Sequence, residues 1–491
     1  MSYQQLTDHF RSMYRLGHFG AIGHWDNAAM MPEGGATARS NALTELEGLL
    51  HQMATDPRLP GWIGAAKKEN LDTHQTRNLA LIERSYLAAN CLDKQFVEAQ
   101  MQAGMACEHA WRTQRGNNDW QGFKANFEKV VTLSREEAKR RGEATGEDPY
   151  NAMLDLYEPG LKRDAIDSIF ANLKTWLPET IQQVVAKQAQ ETVIEPTGPF
   201  PVAKQKQLAE KVMAAMGFDF EGGRVDESAH PFCGGVPEDV RMTTRYDEND
   251  FLSGLLGIIH ETGHACYEQN LPRDPEGQPI NEALGMAMHE GQSLSFEMQI
   301  ARTPEFCDWL APLLNETFGA QPAFEANNLY KLFTRVAPGK IRVDADEVTY
   351  PMHVILRYEI ETALIDGNIE IDDIPGLWQE KMQQYLGLDL TGDYKDGCMQ
   401  DVHWTDGAFG YFPTYTLGAM TAAQLINTLR TQHPEAIDAI RLGDFTGVYA
   451  FLRERVWQHG SAKTGDQLMT NATGEPLNPE QFRQHIYKRY L

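Results

Sequence analysis

The pentapeptide His260-Glu261-Thr262-Gly263-His264, set inside the apolar stretch 251–265, constrains this chain more than any other feature. In an α-helix, positions i and i+4 lie on one face. Both imidazoles then reach a single ion while Glu261, rotated away, can hold a water beside it, which predicts a metal site of hydrolytic type on a helix, with zinc as the default ion. An ordinary core helix with two hydrogen-bonded imidazoles is the structural alternative. Asn249 and Asp250 offer N-cap oxygens, and Phe251, Leu252, Leu255, Leu256, Ile258 and Ile259 supply an apolar face. A buried helix is therefore predicted over 250–270.

A catalytic zinc needs a third protein ligand and one open position for water. The extended motif with a further histidine is absent, because position 270 is Asn270 and Tyr267 stands where that motif requires glycine. Two carboxylates on a following helix qualify: Glu282 in Ile280-Asn281-Glu282-Ala283-Leu284, and Glu290 in Met288-His289-Glu290-Gly291-Gln292-Ser293. The turn-rich stretch 271–279 lets either face back towards the first helix. Spacing leaves both open.

Six ordered motifs lie between positions 230 and 404: His230-Pro231-Phe232, Asp239-Val240-Arg241-Met242-Thr243, His260-Glu261-Thr262-Gly263-His264, His289-Glu290-Gly291-Gln292, Ile341-Arg342-Val343-Asp344-Ala345-Asp346, and Gly397-Cys398-Met399-Gln400-Asp401-Val402-His403-Trp404. In these the chain resembles the carboxypeptidase Taq family of thermostable zinc metallocarboxypeptidases. The resemblance implies that His260, His264 and Glu290 hold the metal, that Glu261 is the catalytic carboxylate, and that Glu282 supports the site or caps a helix. It places Arg342 in the substrate pocket. It also implies a homodimer and a helical body split by a deep central groove with the metal at its floor. Gly291 departs from the family's usual serine, beside the ligand position rather than on it.

Bound zinc lowers the pKa of its water to about 7 and polarises a carbonyl. Glu261 is then the expected general base, taking the water's proton and delivering it to the departing amine. Donors to the developing oxyanion are sought in the Gly- and aromatic-rich segment 403–415, read as a loop on the cleft wall, where His403, Tyr411 and Tyr415 are candidates and simple packing is the alternative for either tyrosine. A terminal carboxylate is best met by arginine, whose planar fork bonds both oxygens. Arg342 is the candidate through its motif; by physics alone an i, i+4 surface pair with Asp346 is the commoner arrangement. Val236, Val240, Met242 and Thr244 fall on even positions after Gly234-Gly235, predicting a short hairpin or irregular sheet near the zinc site. His230, Asp239 and Arg241 are candidate substrate-binding residues there, with an Asp239–Arg241 pair as the structural alternative.

Composition narrows the classes. A net charge of −25, from 44 basic and 69 acidic residues, argues against nucleic acid as a partner. No apolar run approaches the roughly 20 residues needed to cross a bilayer. Segment 1–10 lacks the pattern of a secretory signal, and six scattered cysteines without a CxxC pair read as free thiols, so a cytoplasmic protein is expected.

Three- and four-residue periodicity predicts helices over 36–56, 73–90, 93–115, 120–145, 163–191 and 204–216, then over 281–302, 325–336, 349–366, 374–386, 422–432, 434–442, 446–458 and 479–490. The Pro-rich stretch 196–202 reads as a linker between an N-terminal helical region (1–195) and a catalytic helical region (203–491). The expected fold is mainly α. The expected activity is release of C-terminal amino acids from peptides with a free C terminus, with an oligopeptidase or dipeptidase, or a non-catalytic helical peptide-binding protein, as rivals. Cobalt or manganese would suit the same ligands.

Overall fold

Polar side chains start many of the helices in the computed structural model, which describes residues 2–228 and 231–491. Asp72, Asp93, Asp119, Asp148, Asp250, Thr303 and Thr464 each accept a hydrogen bond from a backbone N–H of the following first turn. The helices run from Ser2–Ala29 to Pro479–Tyr490. The mainly α expectation holds.

Two large apolar cores organise them. One joins Phe127, Phe170 and Trp176 to Met352, Trp378, Trp404 and Ile486, so residues on both sides of 196–202 share it. The other gathers Leu208, Val212, Ile258, Ile259, Phe306, Leu425 and Trp457 around the motif helix Phe251–Gln269. Burying such side chains contributes about 1.5–3 kcal/mol each.

The predicted sheet is present, with three strands: β1 (Gly223–Glu227), β2 (Phe232–Val236) and β3 (Asp239–Thr244), in the order β1-β3-β2. β1 runs parallel to β3, and β2 runs antiparallel to it with Val236 opposite Asp239. Val240 and Met242, on alternate positions of β3, join the second core. The sheet thus backs the motif helix.

After the motif helix the chain makes a single 3₁₀ turn at Pro279–Asn281, then an α-helix at Met286–Leu294 that passes into π-helical geometry over Ser295–Ala301. The predicted helix 281–302 is therefore broken, and the reason lies in its neighbours. Leu284 N–H donates to Tyr267 Oη (3.2 Å), Met286 N–H to the Tyr157 carbonyl (2.8 Å), and Ala287 N–H to Glu158 Oε2 (2.8 Å). These contacts pin the start of the helix at Met286.

Close backbone approach sets its position. A Cβ on Gly263 would lie 2.6 Å from both the Gln292 carbonyl and Ser293 Cα, and one on Gly418 would lie 2.7 Å from Glu290 Cβ. Glycine at both places lets the motif helix and the helix Pro413–Gln432 press against Met286–Leu294 from two sides. That last long helix begins at Pro413, not at 422, because Pro413 stands at its first position, where its missing N–H costs nothing. Tyr415 consequently lies on a helix rather than in a loop. Periodicity does not reveal two long helices, Ser2–Ala29, whose polar residues blur its apolar stripe, and Pro304–Phe318, which carries Pro312 within it, nor the shorter Leu59–Ala66, Pro149–Leu154 and Gly465–Thr473.

Candidate metal centre

The motif helix and the helix Met286–Leu294 bring His260, His264 and Glu290 together. Among the described residues this is the one set of three such side chains whose ligand atoms all lie within 4.8 Å of one another. Glu290 Oε2 stands 3.7 Å from His260 Nε2 and 3.5 Å from His264 Nε2. Glu282 lines the same cavity but lies outside this set.

The far side of each ring decides what the near side can do. His260 Nδ1 is 3.0 Å from Glu297 Oε2, and Glu297 also accepts from Arg302 Nη2 at 2.7 Å. An ionised carboxylate only accepts, so His260 donates to Glu297 from Nδ1 and turns Nε2 inwards towards Glu290. His264 is oriented differently: its Nδ1 is 2.6 Å from Nδ1 of His289, whose Nε2 is 2.7 Å from Glu268 Oε1.

Charge at the centre is predominantly negative. Burial would lower His260, yet Glu290 and Glu297 outweigh it and hold the imidazole up at about 10. Burial would raise Glu290, but His260 and His264 pull it down to about 2. Burial depresses His264 to about 4, with the two neighbouring imidazoles adding to the effect. Glu261 is 8% exposed, its Oε2 is buried without a hydrogen-bond partner, and burial pushes its carboxyl up to about 7. Two imidazoles turned towards one ionised carboxylate, with an orphaned carboxylate oxygen beside them, form a donor set that fits a divalent cation with water on its open side.

Two cavities, of about 830 and 1300 Å³, meet at His260, Glu290 and Tyr415. Tyr411 lines the smaller and Tyr415 lines both, with their rings 5.2 Å apart. His403 lines neither; its Nε2 lies 3.2 Å from Tyr415 Oη, behind that ring.

Arg342 lines the larger cavity and is buried. Its Nε donates to Asp401 Oδ1 (3.0 Å) and its Nη1 to Tyr350 Oη (2.9 Å), and its guanidinium lies 5.0 Å from the centre of the Tyr415 ring. Asp401 also accepts from Arg357 (2.6 Å), which is fully buried. The surface pair with Asp346 does not form, because Arg342–Asp344 is a 3₁₀ turn and Asp346 accepts instead from the backbone of Ala337, Val348 and Thr349.

Asp239 and Arg241 are not brought to His260, His264 and Glu290. They pair with each other (2.9 Å), Asp239 meets His18 (3.2 Å), and Arg241 stacks 4.4 Å over Trp25, tying the sheet to the first helix. His230 lies outside the described residues; the adjacent Pro231 lines both cavities.

Glu297, His289, Glu268, Arg357 and Tyr350 were missed as site-supporting residues. Glu268 carried a signal, since it follows His264 by four on the motif helix, the spacing that already joins His260 to His264. Asp401 and His289 stood inside quoted motifs without a role.

The family model described as carboxypeptidase Taq (M32) metallopeptidase matches residues 5–490. The chain is 34% identical to thermostable carboxypeptidase 1 of Thermus thermophilus, covering 100% of this chain and 98% of that one, and 33% identical to carboxypeptidase 1 of Bacillus subtilis, covering 98% and 97%. The solved metallocarboxypeptidase 1 of Trypanosoma cruzi superposes with a TM-score of 0.98 at 47% identity, covering 100% of this chain and 99% of that one. The chain belongs to the carboxypeptidase Taq (M32) family, and is a metallocarboxypeptidase, a peptide hydrolase.

Proposed function

We propose that this enzyme is zinc-dependent and releases single amino acids from the C termini of peptides, with Glu261 as general base. The observation that carries the reading is the buried, unpartnered Oε2 of Glu261 beside the three ligand side chains. When bound there, a divalent ion supplies Lewis-acid polarisation of the scissile carbonyl and a water acidified to about pKa 7. Glu261, itself raised to about 7 by burial, is matched to take that water's proton and return it to the departing amine.

The phenols of Tyr411 and Tyr415 keep their protons, since burial raises both. They are the proposed donors to the developing oxyanion. His403 acts through Tyr415, fixing the direction of its hydroxyl. Arg342 binds the terminal carboxylate. The buried wall around it holds two guanidinium groups against the single carboxylate of Asp401, so an anion is the charge it lacks. Cobalt or manganese would fit the same ligands. Six free thiols favour a reducing compartment such as the cytoplasm, no helix among the described residues is long and apolar enough to cross a membrane, and the family resemblance favours a homodimer.

The test is Glu261→Gln, with metal content and hydrolysis measured together. Retained zinc with kcat lower by roughly 10²–10⁴ is expected. Undiminished hydrolysis would contradict the assigned base.

A further inference from the structure

Unequal support for the two ligand histidines carries one inference beyond the catalytic reading. His260 meets a carboxylate directly, at 3.0 Å. His264 meets a second imidazole, His289, and only through it a carboxylate, Glu268. We propose that His289 is a positioning residue which, anchored by Glu268, fixes the tautomer of His264 and thereby sets the affinity of this centre for its metal. The proposal rests on His264 being a ligand.

Proton counting gives the mechanism. Ionised Glu268 has no proton to offer, so His289 must donate to it from Nε2. A neutral His289 that donates from Nε2 has a bare Nδ1, able only to accept. The 2.6 Å contact between the two Nδ1 atoms holds one proton, which must therefore belong to His264. His264 Nε2 is left bare and faces Glu290 Oε2 at 3.5 Å, as a metal ligand must. The opposite arrangement, with His289 donating from Nδ1, would put the proton of His264 on Nε2 and exclude a metal. Glu268 thus acts across two rings.

Packing keeps the relay in place. The His289 ring lies 4.6 Å from that of His264 and 5.3 Å from that of Tyr267. Glu268 follows His264 by one helical turn on the motif helix, while His289 precedes Glu290 on the neighbouring one. The relay therefore staples together the two helices that supply the ligands. Oriented outer hydrogen bonds of this kind typically change metal affinity by about 10–100-fold when removed.

Side-chain geometry separates positioning from bulk. Asn places its Oδ1 where His has Nδ1, whereas Gln places its terminal atoms where His has Nε2. His289→Asn keeps an acceptor for His264 and loses Glu268; His289→Gln keeps the reach to Glu268 and loses the acceptor. Zinc dissociation constants are measured for full-length wild type, both variants and His264→Ala by competition with a chromophoric chelator, and folding is checked by circular dichroism. The expected result is zinc binding weakened about 10–100-fold in His289→Gln and by less than about 5-fold in His289→Asn. Equal affinities in the two variants, or wild-type affinity in His289→Gln, would overturn the relay. Should either fail to fold, Glu268→Leu replaces it, with weakened zinc binding expected and wild-type affinity overturning the proposal. His264→Ala separates the premises: wild-type zinc affinity there removes the ligand assignment itself, while its loss together with full affinity in His289→Gln removes only the relay.

Discussion

The floor of the cleft and its Arg342 wall solve opposite electrostatic problems. At the floor, Glu290, Glu297 and Glu261 crowd His260 with negative charge, and its ring is held from behind by the carboxylate of Glu297. At the wall, Arg342 and Arg357 share Asp401, leaving a buried excess of positive charge between aromatic faces. One region suits a cation and the other an anion. Both meet along the larger cavity, which His260, Glu290 and Arg342 line together. The difference teaches that the cleft is polarised before any substrate enters, and that each pole depends on a carboxylate placed behind it.

The largest stability effect should come from breaking the wall. Asp401→Ala leaves two buried guanidinium groups without their shared partner, and a loss of about 3–5 kcal/mol is expected in chemical denaturation. A loss below about 1 kcal/mol would show that the wall is wetter than its burial implies.

Next in size is a pH effect from a carboxyl buried in the core beside Tyr150 and Trp404. Glu361 is fully buried, accepts from Tyr150 Oη (2.5 Å), the Gly410 N–H (3.1 Å) and Trp404 Nε1 (3.3 Å), and is pushed by burial from 4.5 to about 7. A carboxyl raised on folding favours the protonated native state, so the contribution of Glu361 is fully present below pH 4.5 and is lost as pH rises through about 7. The full contribution is roughly 3 kcal/mol. Glu361→Gln should flatten that fall, read as melting temperature against pH for the two proteins; parallel curves would rule it out.

A smaller effect isolates the terminal-carboxylate role. Arg342→Lys keeps the charge but loses the planar fork, and kcat/KM on free-acid peptides should drop by about 10–100-fold, or roughly 1.5–3 kcal/mol. C-terminally amidated peptides, already poor, should be unaffected. An equal drop for both would move Arg342 from binding to scaffolding.

The smallest concerns the floor. A Cβ on Gly291 would meet Thr421 Cγ2 at 2.8 Å, so Gly291→Ser should cost about 1 kcal/mol, with Thr421→Ala recovering part of it.

The same contrast governs how much was legible in the sequence. His260, Glu261 and His264 follow from a local spacing on one helix, which needs no tertiary information. The choice between Glu282 and Glu290 did not, because bends between Gln269 and Met286 erase the helical phase before the second carboxylate arrives. Period-two alternation found the sheet, but the partners of Asp239 and Arg241 lie on the first helix, beyond any spacing rule. Arg342 finds Asp401 rather than Asp346 for the same reason: its neighbourhood is assembled from distant segments. Tyr415 was placed in a loop because glycines and aromatics upstream masked the helix start at Pro413.

The central claim is that one divalent ion, held by His260, His264 and Glu290, makes hydrolysis possible. Its most direct test is to strip the protein of metal with a chelator, remove the chelator, and titrate zinc back while following release of the terminal amino acid. Negligible activity in the stripped enzyme, rising to a plateau at one zinc per chain, is the predicted result. Undiminished hydrolysis by the rigorously metal-free protein would contradict it.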